Sequence, residues 1–407
     1  MSSSEQVVVV GAGPVGSITA LRLSQLGIPV VLLEALSYIP TGHRAATTHS
    51  STLDLLDKVG ISSQIIEAGL KAQYFQYRHL DSNEVFAEFD FSFLKDETNH
   101  PYAIQLEQHK TVEIALKEAS KYKNFTLLRE HVVSEVNNKE DIVEVTVKLP
   151  NEEIKIISCK FLIGCDGGKS YIRKSQGIDF PGFTWEERFL ILASYFDYEQ
   201  ADNYRYRNYL AGKDTWCSVF KIPGPKGCGM WRNLFPVMQG VSESDILSEK
   251  YINNQIKTCF PYIEKINVVD KNLYSVHQRV ADKFVKGRII LAGDAAHVNN
   301  PLGGMGMNSG IHDGLNVAEK ISELWNNNSL SVDKVLSLYD RQRRPLAKKY
   351  VQAQSIENKK TLQSDDSRKS KDKYENLKRI SSSKDLQKSF LLKASLIDMV
   401  RESDSII

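Results

Sequence analysis

Cysteine is scarce in this chain: five in 407 residues, an odd number, with no Cys-x-x-Cys pair. A disulfide scaffold is excluded, and reduced structural thiols in the cytoplasm are the default. The nine histidines form no ligand-spaced pair with a cysteine or carboxylate, so no metal site is expected. No stretch reaches the roughly 18–20 uninterrupted apolar residues of a membrane span. The opening Met1-Ser2-Ser3-Ser4-Glu5-Gln6 lacks both the basic and the apolar part of a signal peptide. Charge of one sign is lacking too: 52 basic against 50 acidic side chains leave a net +2, too little to imply a nucleic-acid partner. Internal repeats are absent. What remains is ordinary for a globular enzyme, 42% hydrophobic and 25% charged, and long enough for more than one core.

Against this plain background, Val7-Val8-Val9-Val10 runs straight into Gly11-x-Gly13-x-x-Gly16. Gly11 permits a tight turn out of a buried strand. Gly13 lets backbone approach a pyrophosphate, and Gly16 lets the next helix pack close to the sheet. That helix, Ser17 to Gln25, aims its free N–H groups at the phosphates. A second strand, Pro29 to Leu33, ends in Glu34, placed to accept from a ribose hydroxyl. An anionic dinucleotide therefore belongs at the start of the fold.

Further along, helices are expected at Thr48–Val59 and Glu107–Tyr122, and from about Asn308 and Val332 onward to Ile356. Tyr74–Phe91 reads as strands. Leu127–Val133, Val143–Lys148 and Ile154–Ser158 read as an antiparallel set. Residues 185–237 are the most aromatic part of the chain and read as strands broken by Gly and Pro turns. The Ser-, Lys- and Asp-rich segment 361–384 reads as a weakly packed connector. Leu386–Glu402 returns to helix with Leu386, Phe390, Ala394, Ile397 and Arg401 on one stripe. Docking in protein, on the body or on a second subunit as a homodimer, is favoured for that stripe over a membrane surface.

Three apolar strands end in glycine, the second and third in Gly followed by Asp. The first is the fingerprint. The second is Ile163-Gly164-Cys165-Asp166-Gly167. The third is Gly293-Asp294-Ala295-Ala296-His297, followed by Pro301-Leu302-Gly303-Gly304-Met305-Gly306-Met307-Asn308. Asp294 at a strand end suits a polyol, and the glycines after Pro301 open a helix N-terminus. Alone, Asp166 reads better as a turn residue and Asp294 equally as a cap.

As a set in this order, these segments resemble the class A, single-component flavin-dependent monooxygenases, aromatic hydroxylases with the p-hydroxybenzoate hydroxylase fold. The resemblance implies an α/β architecture: a Rossmann-like FAD-binding domain interleaved with a mostly antiparallel β-sheet substrate domain, plus C-terminal helices. The FAD-binding domain would be discontinuous, 1–73, 101–180 and 281–330. The substrate domain would span 74–100 and 181–280, and helices 331–407. The chain leaves no room for the thioredoxin-like domain of larger relatives, and it lacks the Trp-rich signature of flavin halogenases.

The resemblance further implies FAD as cofactor, with NADH or NADPH and O₂ as co-substrates, and hydroxylation of an aromatic or heteroaromatic ring through a flavin C4a-hydroperoxide. Gly11, Gly13, Gly16 and Glu34 would hold the AMP half. Arg44 would reach the pyrophosphate, and Gln108, with Gln105 as its rival, the ribityl–phosphate portion. Asp294 would hold the ribityl chain, with Gly293, Asp166, Gly167, Gly306, Met307 and Asn308 beside the cofactor. Pro301, Gly303 and Gly304 would border the reacting ring, with no acid–base residue assigned. Substrate candidates from the aromatic stretch are Tyr204, Tyr206, Trp216, Ser218, Trp231 and Asn233, each more often sheet packing than a contact. Arg207 and Arg232 are candidates for a substrate carboxylate, although surface arginines are the commoner case. His277, His297 and His312 read as structural or solvated. The alternatives are a Baeyer–Villiger or epoxidising flavin oxygenase, a reductase on the same fold, or a non-enzymatic flavin-binding interaction protein.

Overall fold

The computed structural model describes residues 4–363 and 367–407. Its first layer is a six-stranded sheet in the order Val285–Lys286, Ile289–Leu291, Phe161–Gly164, Val7–Val10, Val30–Leu33, Phe125–Leu128. All neighbours run parallel except the edge hairpin at 285–291. Val7–Val10 lies at the centre and is buried at every position, which is why it is apolar at every position. The helix Pro14–Gln25 leaves this strand through Gly11, at φ +99°, where a Cβ would lie 2.5 Å from the Cys165 carbonyl oxygen. At Gly16 a Cβ would lie 1.9 Å from the Gly11 carbonyl oxygen, so the helix can sit this close only on glycine. The carbonyl ends of the strands 7–10, 161–164 and 289–291 thus bring the three glycine-bearing segments to one end of the sheet.

The second layer is an eight-stranded sheet in the order His297–Val298, Val268–Val280, Gly182–Ser194, Met230–Val237, Cys217–Ile222, Arg207–Ala211, Tyr74–His79, Val85–Asp90. It is antiparallel but for the pairing of 207–211 with 74–79. Both faces are covered. Leu190, Leu192, Val219, Trp231 and Phe235 pack on one side with Ile252, Ile256 and Phe260 of the helix Glu249–Cys259 and its end. Phe75, Phe89, Phe189, Ile191, Tyr209 and Leu234 pack on the other.

Several boundaries depart from the sequence expectation. Thr48 is not helical: Thr47–Thr48 pairs with Ala103–Gln105, and the helix begins at Ser50 and ends at Asp57. β-branched residues followed a strand partner, not their local pattern. The antiparallel triplet starts with Val132–Asn138, whereas Phe125–Leu128 joins the parallel sheet. The helix from Val332 carries Pro345 and gives way to a π-helical turn at Ala347–Gln352 before continuing as Ala353–Leu362, since proline supplies no N–H to the ladder. The segment 361–384, expected as a weakly packed connector, contains a helix, Ser367–Ser381. Leu377 is buried there and Tyr374 meets the rings of His79 and Phe86. Residues 364–366 of that segment lie outside the described residues. The last helix is two, Lys384–Ala394 and Ile397–Ser405, broken at Leu396 in a left-handed conformation. The break moves the apolar stripe: Leu391, Leu396, Ile397 and Met399 are buried within the chain, while Leu386 and Arg401 are exposed. The stripe therefore docks on the body. Among the described residues no helix is long and apolar enough to cross a membrane.

Candidate active site

A cavity of about 800 Å³ runs from the Gly11–Val15 turn, past Asp166, Asp294 and Pro301, to the aromatic sheet. Cavities that take drug-sized ligands measure roughly 300–1,000 Å³. Gly13 lines it, and a Cβ added there meets no protein atom within 4 Å. The space beside Gly13 belongs to the cavity, as a phosphate-approach glycine requires. Glu34 lines the same end and accepts from the Ala12 N–H at 2.8 Å and the Leu36 N–H at 2.9 Å. Each of its oxygens keeps a lone pair for a hydroxyl. Arg44 and Arg129 both line the cavity, and Arg129 Nη1 has no hydrogen-bond partner. Gln108, the first residue of the helix Gln108–Ala119, lines it too. So does its rival Gln105, whose Oε1 accepts from Thr47 while Nε2 has no partner.

Asp294 lines the cavity, and its side chain is exposed to that space. Burial raises its pKa, against the opposing charges of His297 and Arg44. The turn that carries it is held from below. Asp313, fully buried, accepts from the Gly293 N–H at 3.1 Å, His297 Nε2 at 2.8 Å and Arg343 Nε at 2.7 Å. Burial alone would raise the Asp313 pKa, but Arg343 and His297 outweigh it and hold the group low. His297 is thus structural, as expected. Asp166 lines the cavity but spends its carboxylate on a helix start, accepting from Ser170 Oγ at 2.6 Å and the Ile172 N–H at 3.0 Å. Gly167, Pro301, Gly304, Gly306 and Met307 line the cavity as well. Gly304 caps the helix Met305–Asn326, so that helix points its N-terminus at the ligand space.

Four predicted cofactor or ring residues do not line this cavity. Gly16 and Gly293 act by close packing, Gly293 against Val15. Gly303 lines a narrower hollow beyond Met305. Asn308 is a clasp: its Oδ1 accepts from the His49 N–H at 2.8 Å, and its Nδ2 donates to the carbonyls of Thr47 and Gly304.

None of the six substrate candidates lines the cavity. Trp231 and Asn233 point to the far face of the sheet, where Asn233 donates to the Tyr198 hydroxyl at 2.8 Å. Tyr204 lies in that same cluster, and Tyr206 is half-buried under Lys221. Trp216 and Ser218 are wholly buried, Trp216 edge-on to Phe189 and Ser218 cross-strand from Tyr209 and Leu234. From this sheet Ile191, Tyr209, Phe220, Arg232, Leu234 and Tyr274 reach the cavity. Arg232 and Leu234 are the alternates of Trp231 and Asn233, whereas Ser218 shares the face of Phe220, Tyr209 and Leu234 but is covered. On the strand Met230–Val237 alternation in period two was visible in the sequence, but its phase was not. The two arginines are buried, not surface residues: Arg207 is 3% exposed and Arg232 6%. Burial pulls the Arg232 guanidinium down to about 10, and its Nη1 donates to the Arg44 carbonyl at 2.9 Å. His277 stands at the cavity wall against Thr184, and His312 is buried against Thr52.

Residues 4–354 match the model of a family described as FAD binding domain. The chain belongs to that family. A para-nitrophenol 4-monooxygenase of Pseudomonas sp. (strain WBC-3) is 30% identical over 347 residues, 84% of each chain. The 6-hydroxy-3-succinoylpyridine 3-monooxygenase of Pseudomonas putida (strain DSM 28022 / S16) is 29% identical, covering 89% of this chain and 90% of its own. The crystal structure of a p-nitrophenol 4-monooxygenase from Pseudomonas putida DLL-E4 superposes with a TM-score of 0.90 at 28% identity, over 96% of this chain and 98% of that one. The protein is therefore an FAD-dependent monooxygenase of the aromatic hydroxylase fold. The free carboxylate lone pairs of Glu34, the open side of Gly13, the unpaired Gln105 Nε2 and the cavity-facing Asp294 fit that cofactor.

Proposed function

We propose that the protein hydroxylates a phenol-like or hydroxypyridine ring, with NADH or NADPH as reductant and O₂ as oxidant. The observation that carries this reading is the continuity of one cavity from Gly13 and Glu34, past Pro301, to Tyr209, Phe220 and Leu234. We assign Gly11, Gly13, Glu34 and Arg44 to the nucleotide end, Gln105 or Gln108 and Asp294 to the ribityl region, and Pro301 and Gly304 to the edge of the reacting ring. Bound FAD supplies the redox and oxygen chemistry. The chain's own residues orient the ring between the sheet and the Pro301 loop. Ile191, Phe220 and Leu234 wall that end with apolar surface, which keeps water from the reacting centre.

We further propose that 1–73, 101–180 and 281–330 form the cofactor-binding unit and 74–100 with 181–280 the ring-binding unit. Strand membership supports this division except at His297–Val298, which pairs with the ring-binding sheet. The free state of all five cysteines supports a cytoplasmic enzyme.

The test is NADH and NADPH oxidation by purified yellow protein in the presence of 4-nitrophenol and hydroxypyridines. Ring-stimulated oxidation is expected, with a product heavier by a single oxygen. No stimulation by any phenol or hydroxypyridine would overturn the reading, and a product without added oxygen would make the protein a reductase.

A further inference from the structure

Past Tyr209 and Met305, which line both spaces, the main cavity adjoins a narrow hollow lined by His49, Phe75, Tyr77, Phe91 and Arg207. Arg207 is almost wholly buried there. A guanidinium carries five N–H donors and keeps its charge in any protein environment. Arg207 Nε and Nη1 have no hydrogen-bond partner, and its one hydrogen bond, from Nη2 to the Tyr209 hydroxyl, is long at 3.4 Å. No ion pair to Arg207 exists among the described residues. Ring faces are its other company, Phe75 at 5.3 Å and Phe91 at 5.9 Å. An unpaired buried cation is among the costliest arrangements a core can hold.

His49 supplies the complementary group. Its Nε2 lies 2.7 Å from the Gly303 carbonyl oxygen, which can only accept, so the proton sits on Nε2. Nδ1 is then a lone-pair acceptor, and it too has no partner. Burial, helped by the charge of Arg207, drives the His49 pKa down to about 3, so the ring stays neutral. The hollow thus offers charged donors, one neutral acceptor and flat apolar walls.

We propose that Arg207 and His49 form a specificity-determining subsite for the anionic oxygen substituent of an aromatic ring held in the main cavity, since the hollow, at about 20 Å³, admits a substituent and not a ring. The substituent pairs with Arg207 when ionised, and as a hydroxyl it donates to His49 Nδ1. This deepens the aromatic hydroxylase reading and rests on it. Phenolate and carboxylate share the chemistry, and paired probes separate them.

The experiment uses the FAD-loaded enzyme and follows the bound flavin's absorbance while titrating two pairs: 4-hydroxybenzoate against its methyl ester, and 4-nitrophenol against 4-nitroanisole. The charged member of at least one pair is expected to bind about tenfold tighter or more, as charge-assisted hydrogen bonds imply. Arg207→Met should erase that ratio at unchanged flavin content, and Arg207→Lys should keep part of it. His49→Leu should weaken the hydroxylated rings several-fold and leave 4-nitroanisole unchanged. Ligand-free Arg207→Met should also melt higher than the parent, because an unpaired buried charge has been removed; a structural arginine would lower the melting temperature. Equal affinity for charged and capped rings, or a preference that survives Arg207→Met, overturns the subsite. If capped and charged rings are hydroxylated alike, only the subsite falls. If no ring perturbs the flavin or speeds NAD(P)H oxidation, the hydroxylase reading falls with it.

Discussion

Gly13 and Gly16 sit three residues apart in one motif and do opposite work. A side chain at Gly13 meets no protein atom within 4 Å, whereas at Gly16 it would meet the Gly11 carbonyl at 1.9 Å. Gly13→Val should therefore fold, melt like the parent apoprotein and emerge colourless, because its branched carbons occupy space the pyrophosphate needs. Gly16→Val should be destabilised by about 1–3 kcal/mol or more, the usual cost of overpacking. Flavin absorbance and denaturant unfolding separate the two, and a yellow Gly13→Val protein overturns the phosphate role. The placement of both glycines was legible because a turn from strand to helix depends on a few bonds of local backbone. Arg207 and Arg232 were not, because the burial of a long charged side chain is decided by whatever other elements close over it.

The strand Met230–Val237 shows what a single element conceals. Trp231, Asn233 and Phe235 support the far face, and Arg232 and Leu234 reach the cavity. An aromatic, half-polar strand buried on both faces gives no polar side by which to set its phase. The larger and more chemical-looking residues drew attention to the wrong set. Leu234→Ala should raise KM for the ring substrate, since it enlarges the wall of the cavity. Trp231→Ala should instead cost about 3–5 kcal/mol of stability and leave KM of the folded fraction near the parent value. Urea unfolding beside steady-state kinetics checks this, and the reverse pattern would reject the face assignment. The Asp166 turn shows the other side of the same problem. Its position was legible, but whether its carboxylate caps a helix or meets a ligand depended on Ser170 and Ile172 turning back to it.

The molecule is tied together by contacts between segments far apart in the chain, and two of these run through the buried imidazoles of His49 and His312. His49 meets Gly303, and His312 of the long helix meets Thr52. Burial drives each imidazole from 6.5 to about 3. Below 6.5 the unfolded chain takes up a proton on each ring, while the folded protein does not until about 3. The unfolded state therefore binds more protons in that window, and stability falls as pH falls through it. Each histidine contributes a slope of up to about 1.4 kcal/mol per pH unit. Melting temperatures from about pH 7.5 to about pH 5 should show the loss, and His312→Gln should flatten it; an unchanged slope in that variant would remove His312 from the account.

The cofactor end of this protein was written locally. A strand that is apolar at every position, a glycine that alone can turn out of it, and a carboxylate at the next strand's end are constraints of backbone sterics and short-range hydrogen bonding. Two Gly-Asp strand ends following the glycine fingerprint pointed to one cofactor spanning distant parts of the chain, and the parallel pairing of 7–10, 161–164 and 289–291 brings those ends together. The ring end was not local. Which side of each strand faces the cavity follows from pairings such as Phe189 with Tyr274 and Tyr209 with Tyr77, and from the C-terminal helix that lays Phe390 against Phe89. Those pairings join residues tens to hundreds of positions apart. Strand phase and the burial of Arg207 come from long-range packing, so only the folded chain decided them.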